Sequence, residues 1–229
     1  DYRGVSQVSA VWVDSRISGQ GKETIARKHF EIVDLRKDSD PVAKLFQINE
    51  DHKDTVVWAE GDDSKSILSA KRHQLRTADN LVIWTTPPSQ NILQEVLQVT
   101  KPRIVFVFGH IPGAHTRRAF LTKLLGLKEY AINKKSGQAP LIEMAGACGS
   151  TEETVRIGLK LLRAKGKIRF VEKAETVMFN EGDEDPKPKM IDHLRTELRK
   201  SLEESQAYRK YFRSGDIKDY LFVEIKKDQ

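Results

Sequence analysis

Four apolar runs punctuate the first half of the chain. They lie at residues 30–36 (Phe30, Ile32, Val33, Leu35), 55–59 (Val56, Val57, Trp58), 81–85 (Leu81, Val82, Ile83, Trp84) and 104–108. Each predicts a short strand that is apolar on both faces. Between them, apolar residues recur at helical spacing. After the first run, Ser39, Asp40 and Pro41 supply a cap and a first-turn proline for a helix carrying Val42, Leu45, Phe46 and Ile48. Residues 66–75, with Ile67, Leu68 and Leu75, read as a second helix. A third follows the Thr86-Pro87-Pro88-Ser89 turn, with Ile92, Leu93, Val96 and Leu97 on one face. This alternation predicts an α/β fold with a small parallel, Rossmann-like sheet and flanking helices.

The pattern changes after residue 115. Phe120, Leu121, Leu124, Leu125 and Leu127 predict a helix over 117–132, broken near Gly126. Residues 140–147 predict a short helix, Cys148, Gly149 and Ser150 a turn, and residues 151–162 a second helix. Ser150 or Thr151 supplies its cap, with Glu153 at capping-box spacing from Ser150. Two short β-like runs follow at 167–173 and 176–179, so the set predicts a winged-helix module. Residues 183–188 are acidic and contain proline, as expected of a hinge. Residues 190–212 predict a long helix with a stripe of Leu194, Leu198, Leu202, Tyr208 and Tyr211, and 220–225 a closing strand. Three regions result: 1–115, an α/β layer with a mostly parallel sheet; 116–182, the winged-helix-like module; and 183–229, the C-terminal helix and strand.

Charge sharpens this division. The whole chain has 39 Lys and Arg against 33 Asp and Glu, but residues 117–173 alone hold thirteen basic against five acidic side chains. Local basicity of this kind suits contact with a polyanion. In a helix-turn-helix arrangement the second helix meets the nucleic acid, which makes Arg156, Lys160 and Arg163 candidate contacts. Lys165, Lys167 and Arg169 extend the positive surface into the wing, and Arg117 and Arg118 add to it from the preceding helix. The single cysteine, Cys148, excludes an internal disulfide and fits a reducing cytoplasm. No apolar run is long enough to span a membrane. The chain opens at Asp1 without an initiator Met, as expected of a piece of something longer.

Catalytic chemistry is sparse. Parallel sheets bind ligands beyond the carboxyl ends of their strands, here the loops after Arg36, Ala59, Thr85 and Phe108. None carries G-x-G-x-x-G, and the chain has no G-x-x-x-x-G-K-[ST]. Gly109 to Gly113 reads as a turn that admits positive backbone angles. His110 and His115 lack further metal ligands nearby, and Asp34 with Arg36 reads as a local ion pair at the sheet edge. Asp1 with Arg3 and Asp14 with Arg16 repeat that spacing without implying chemistry. Cys148 reads as a small buried thiol. Trp58 and Trp84 read as core residues, while Trp12 is a candidate for base stacking.

Three stretches, in order, carry a family resemblance. The first is Leu81-Val-Ile-Trp-Thr-Thr-Pro-Pro-Ser89 followed by Pro102-Arg-Ile-Val-Phe-Val-Phe108. The second is Gly149-Ser-Thr-Glu-Glu-Thr-Val-Arg-Ile-Gly-Leu-Lys-Leu-Leu-Arg-Ala-Lys-Gly166. The third is Leu202-Glu-Glu-Ser-Gln-Ala-Tyr208. Together they resemble the C-terminal domain of bacterial RecJ, the single-stranded-DNA-specific exonuclease, over residues 30–210. The resemblance implies a non-catalytic region that assists DNA or partner binding, beside a core that degrades single strands 5′ to 3′ in DNA repair and recombination. It implies single-stranded DNA, and a single-stranded-DNA-binding protein or another repair protein, as partners. Mg or Mn is implied for that core, with no cofactor in this chain. The family's Asp-His-His triplet has its nearest approach in Asp51-His52-Lys53, where Lys53 offers a positive charge in place of a lone pair. No catalytic residue is therefore carried over. Two other readings remain: a free-standing winged-helix DNA-binding protein with a ligand-sensing α/β layer, and an enzyme using Asp34, His110 and His115.

Overall fold

A computed structural model describes residues 7–14, 26–61, 67–112, 116–182 and 184–217, with side chains from Phe30 onward. Its first part is a five-stranded sheet built from β1 (Gln7–Asp14), β2 (Ala26–Asp34), β3 (Thr55–Trp58), β4 (Asn80–Thr85) and β5 (Ile104–His110). The order is β1-β2-β5-β4-β3. Strands β2, β5, β4 and β3 run parallel, and β1 closes one edge antiparallel to β2. The first parallel strand therefore has the last as its one parallel neighbour, whereas in the 3-2-1-4 order of dinucleotide-binding sheets the first strand lies between the second and the fourth.

Period-two alternation places these strands' apolar residues on two faces. Val33, Val57, Val82, Trp84, Phe106 and Phe108 pack under Leu45 and Ile48 of α1 (Pro41–Asp51). Ile32, Trp58, Leu81, Ile83 and Val107 pack under Ile92, Leu93, Val96 and Leu97 of α2 (Gln90–Thr100). Both helices start where the sequence places their caps. The Asp40 carboxylate accepts the Ala43 amide at 3.1 Å, and the Ser89 hydroxyl accepts the Ile92 amide at 3.4 Å. Trp58 and Trp84 are buried in the core as expected.

Residues 67–75 do not form the helix expected over 66–75. Within the described part, Ala70 bridges alongside β3: its amide donates to Val57 O at 2.8 Å, and Ala59 donates to Ala70 O at 3.1 Å. A single 3₁₀ turn, Arg72–Gln74, follows. The backbone hydrogen bonds that a helix would use are spent extending the sheet, and Arg72 is drawn inward by Glu60.

The second part runs α3 (Arg117–Lys134), β6 (Gln138–Pro140), α4 (Leu141–Cys148), α5 (Glu152–Ala164), β7 (Arg169–Lys173), β8 (Thr176–Asn180) and α6 (Pro188–Ser214). Strands β6, β8 and β7 form a small antiparallel sheet in that order. Helix α3 passes Gly126 unbroken. That glycine faces open space, while Leu124 and Ala131 on the opposite side stay buried and hold the helix down. Strand β6 had no signal in the sequence; Gln138 to Pro140 are too few and too polar to show period two. The β7–β8 hairpin turns through Ala174 and Glu175, both at positive φ (48° and 61°). Helix α5 is capped by Thr151, whose hydroxyl accepts the Thr154 amide at 3.1 Å, and Glu152 and Glu153 oppose the positive helix end. Ser150 is buried instead of capping.

The expected hinge is tied down where it is described: Lys187 N donates to Ala164 O at 2.7 Å, and a Cβ on Gly166 would lie 2.6 Å from Glu184 O. Helix α6 then joins both cores. Leu194 and Leu198 pack with α3, α4 and α5, whereas Phe212 and the following Ile217 pack under the large sheet. The closing strand at 220–225, His115, and the side chains of Trp12 and Asp14 lie outside the described residues. Among those described, no helix is long and apolar enough to cross a membrane.

Candidate nucleic-acid interface

Helix α5 has three kinds of face. Val155, Leu159 and Leu162 are buried against α3 and α4. Gly158 sits on that side too: a Cβ there would lie 2.6 Å from Leu124 and 2.8 Å from Phe120, so glycine permits the close crossing of α3. Thr154 lies toward α6, where its hydroxyl meets Ser201 at 2.6 Å. Arg156, Lys160 and Arg163 occupy the remaining side at intervals of four and three residues, and so form one stripe. Gly158 is about 200° around the helix from Lys160, so α3, with the exposed Arg117 and Arg118 at its start, packs on the side away from the stripe. The structure thus does not bring those two arginines into line with Lys160.

The cations within the stripe are not equivalent. Arg156 is gripped by carboxylates: its Nε is 2.7 Å from Glu172, Nη1 is 3.4 Å from Glu153, and Nη2 bonds Glu175. The hydrogen bond to Glu172 leads in raising its pKa above the ordinary value. It ties the hairpin to α5. Arg163 stacks over Phe170 at 4.9 Å from the ring centroid and lies 3.9 Å from Glu184. Lys160, Lys165, Lys167 and Arg169 have no ion pair among the described residues, and Lys160, Lys167 and Arg169 are exposed. Beside the stripe, α6 adds Lys187, Met190 and His193 to a groove of about 310 Å³ shared with Lys160 and Arg163. Sequence reasoning missed these three because they follow the stripe by more than twenty residues and only packing aligns them.

What holds α5 against the sheet is a polar cluster beyond the end of β3. Glu60, Arg72 and Arg209 are 2%, 7% and 7% exposed. Arg72 donates Nε and Nη2 to the two Glu60 oxygens at 2.7 and 2.6 Å, and Nη2 also reaches Ser150 O at 2.7 Å. Burial works against the Arg72 charge, but the Glu60 charge and hydrogen bonds outweigh it and raise its pKa. Arg209 of α6 donates to Gly149 O, while its Nε has no partner. Burial pushes Arg209 down to about 10, still charged at neutral pH. Two guanidiniums therefore secure the two carbonyls that precede α5. Glu60 carried no signal in the sequence beyond its place in a loop after a strand.

Arg36 works similarly at the other end of α6. It pairs with both Asp34 oxygens, Nε to Oδ1 at 2.8 Å and Nη2 to Oδ2 at 2.6 Å, and donates Nη1 to Phe212 O and to Gly215 O at 3.1 Å. Burial alone would raise the Asp34 carboxyl, but the hydrogen bonds and charge of Arg36 bring it below its ordinary value. The expected local ion pair is present, though on the second strand of the sheet rather than its edge. His110 closes β5 beside Trp84, 4.4 Å between ring centroids. Cys148 is buried. Among the described residues no group of three or more His, Cys, Asp and Glu is placed to hold a metal.

Comparison with protein families, curated proteins and solved structures finds no match. The functional reading therefore rests on this chain's own geometry and on the resemblance in its motifs.

Proposed function

We propose that this chain is a non-catalytic nucleic-acid-binding region of the RecJ type, which holds single-stranded DNA beside a hydrolytic core located outside these residues. The observation that carries the reading is the exposed cationic surface of Lys160, Lys167 and Arg169 at the α5–hairpin junction, none of which has an ion pair among the described residues. The order helix, strand, helix, helix, hairpin, with the edge strand β6 paired to β8, the central strand of the small sheet, supports a winged-helix reading of residues 117–180.

Helix α6 favours single strands over a duplex. It lies along α5 and shares a groove with Lys160 and Arg163. Packed helices are about 8–10 Å apart, and a major groove is about 12 Å wide, enough for one helix and not for two abreast. A flexible strand can follow the α5–hairpin surface without entering such a groove. Single-stranded-DNA-binding protein or another repair protein is the accompanying partner in this reading, and the cytoplasm its compartment.

The test is fluorescence anisotropy of a labelled oligodeoxythymidine titrated with the chain across a salt series. With three phosphates neutralised, the slope of log K against log salt is expected near −2, from about −0.7 per contact for single strands. Lys160→Ala, Lys167→Ala and Arg169→Ala are each expected to make the slope shallower by about 0.7. Arg156→Ala is expected to leave the slope unchanged, because Arg156 is engaged by Glu153, Glu172 and Glu175 and neutralises no phosphate, while the carboxylates it unmasks weaken binding at every salt concentration. Binding that ignores salt, or a duplex held more tightly than a single strand, would refute the reading.

A further inference from the structure

A second concavity lies away from the α5 surface, where Lys71 and the 3₁₀ turn meet α3 and α4. Its volume is about 360 Å³, inside the range of roughly 300–1,000 Å³ typical of small-molecule sites. Its floor is apolar, with Leu127 and Met144 separated by alanines whose short side chains leave the space open. Its rim is polar, and the charges there do not cancel. Lys135 is satisfied by Glu143 at 2.5 Å, whereas Lys71 has no ion pair among the described residues, so the lining keeps one positive charge. His73 lies on the rim, but its Nδ1 is shut off from the cleft by protein atoms.

An apolar floor and an ammonium without an ion pair among the described residues suit a ligand that is apolar at one end and anionic at the other. We propose that this cleft binds a small organic monoanion, with an apolar body on Leu127 and Met144 and its carboxylate held by Lys71. A dianion such as a phosphate monoester is disfavoured by the single excess charge and by the Glu143 carboxylate on the same rim. A neutral apolar molecule would leave the Lys71 charge unmatched, and His73 on the rim offers no accessible Nδ1 to change that. Arg72, between those two residues in sequence, holds the Ser150 carbonyl before α5, so an occupied cleft braces the start of that helix. The site stands independently of the nucleic-acid reading.

The chain contains three methionines, which supply the assay. Met144 is on the cleft floor, 2% exposed; Met178 is exposed on β8, and Met190 is exposed in the α5–α6 groove. With methyl-¹³C methionine, the chain is titrated with indole-3-acetate and hexanoate, and separately with the neutral amides of both. The expected result is a saturable shift of the Met144 resonance alone, with at least one acid binding about tenfold more tightly than its amide, equivalent to about 1.4 kcal/mol. Lys71→Met is expected to abolish that difference while leaving the thermal unfolding midpoint in place, because Lys71 is half-exposed. Ala147→Phe, which fills the cleft, is expected to abolish binding of every probe. Absence of a saturable Met144 shift with both acids, equal binding of acid and amide, or a response at Met190 in place of Met144 overturns the proposal. DNA binding by the same samples separates this outcome from that of the nucleic-acid reading.

Discussion

The three charged side chains buried beyond β3 should respond unequally to removal. Together Glu60, Arg72 and Arg209 carry one net positive charge in a region almost closed to water. Glu60→Gln leaves two buried guanidiniums with the carboxylates of Glu152, 3.4 Å from Arg72, and, farther off, Glu95. Arg72→Met deletes the hydrogen bonds to Glu60 and Ser150, but leaves Glu60 facing the charge of Arg209, a neutral pair. Arg209→Met leaves the bidentate Arg72–Glu60 pair whole and removes a donor, Nε, that has no partner. Breaking a buried pair costs about 3–5 kcal/mol, mainly through the charge left behind. The expected losses are therefore about 5 kcal/mol for Glu60→Gln, about 3 for Arg72→Met and about 1 for Arg209→Met. Urea unfolding followed by circular dichroism measures each, provided the slope m is unchanged among variants. Replacing the pair together, as Glu60→Leu with Arg72→Met, is expected to cost less than Glu60→Gln alone, because it leaves a single buried charge. The reasoning fails if Glu60→Gln is no more damaging than Arg72→Met, or if Arg209→Met is the worst of the three.

Other consequences follow from single contacts. Gly158→Ala pushes a methyl to within 2.6 Å of Leu124 and 2.8 Å of Phe120; a loss of about 1–3 kcal/mol is expected, and the same substitution made in a Leu124→Ala background should cost less in the same urea assay. Asp34 has a folded pKa below its ordinary value, so its contribution is complete above that value, near 3.9, and is lost as pH falls through the folded one. Acid unfolding monitored by Tyr and Trp fluorescence should therefore show a component below about pH 4 that Asp34→Asn removes. Ala174 turns the β7–β8 hairpin at φ 48°, and Ala174→Asn, better suited to that conformation, should raise stability by about 0.5 kcal/mol. A decrease in its unfolding midpoint would contradict the turn geometry.

The resemblance and the local patterns had unequal reach. The four parallel strands, α1, α2 and α5 were legible because each has its own apolar period and, at its start, a residue that caps it: Asp40, Ser89 or Thr151. The antiparallel edge β1 and the three-residue β6 were not, since their pairing comes from partners elsewhere in the chain. Residues 67–75 misled because Ile67, Leu68 and Leu75 imitate a helical stripe, whereas Leu68 is 97% exposed and Ala70 joins β3. The cationic residues of the proposed interface were all visible as residues. Their accessibility was not: nothing local says that Arg156 is held by Glu172 and Glu175 while Lys160 is left without an ion pair.

By itself the amino-acid order determined the four parallel strands, the helices with their own caps and where positive charge accumulates, because backbone hydrogen bonding and side-chain periodicity act over a few residues. Tertiary structure alone decided which charges remain uncompensated. Glu60 meets Arg72 and Arg209 only when segments far apart in the chain pack together. Electrostatic pairing depends on distance in space and on burial, and neither quantity is a local property of the chain.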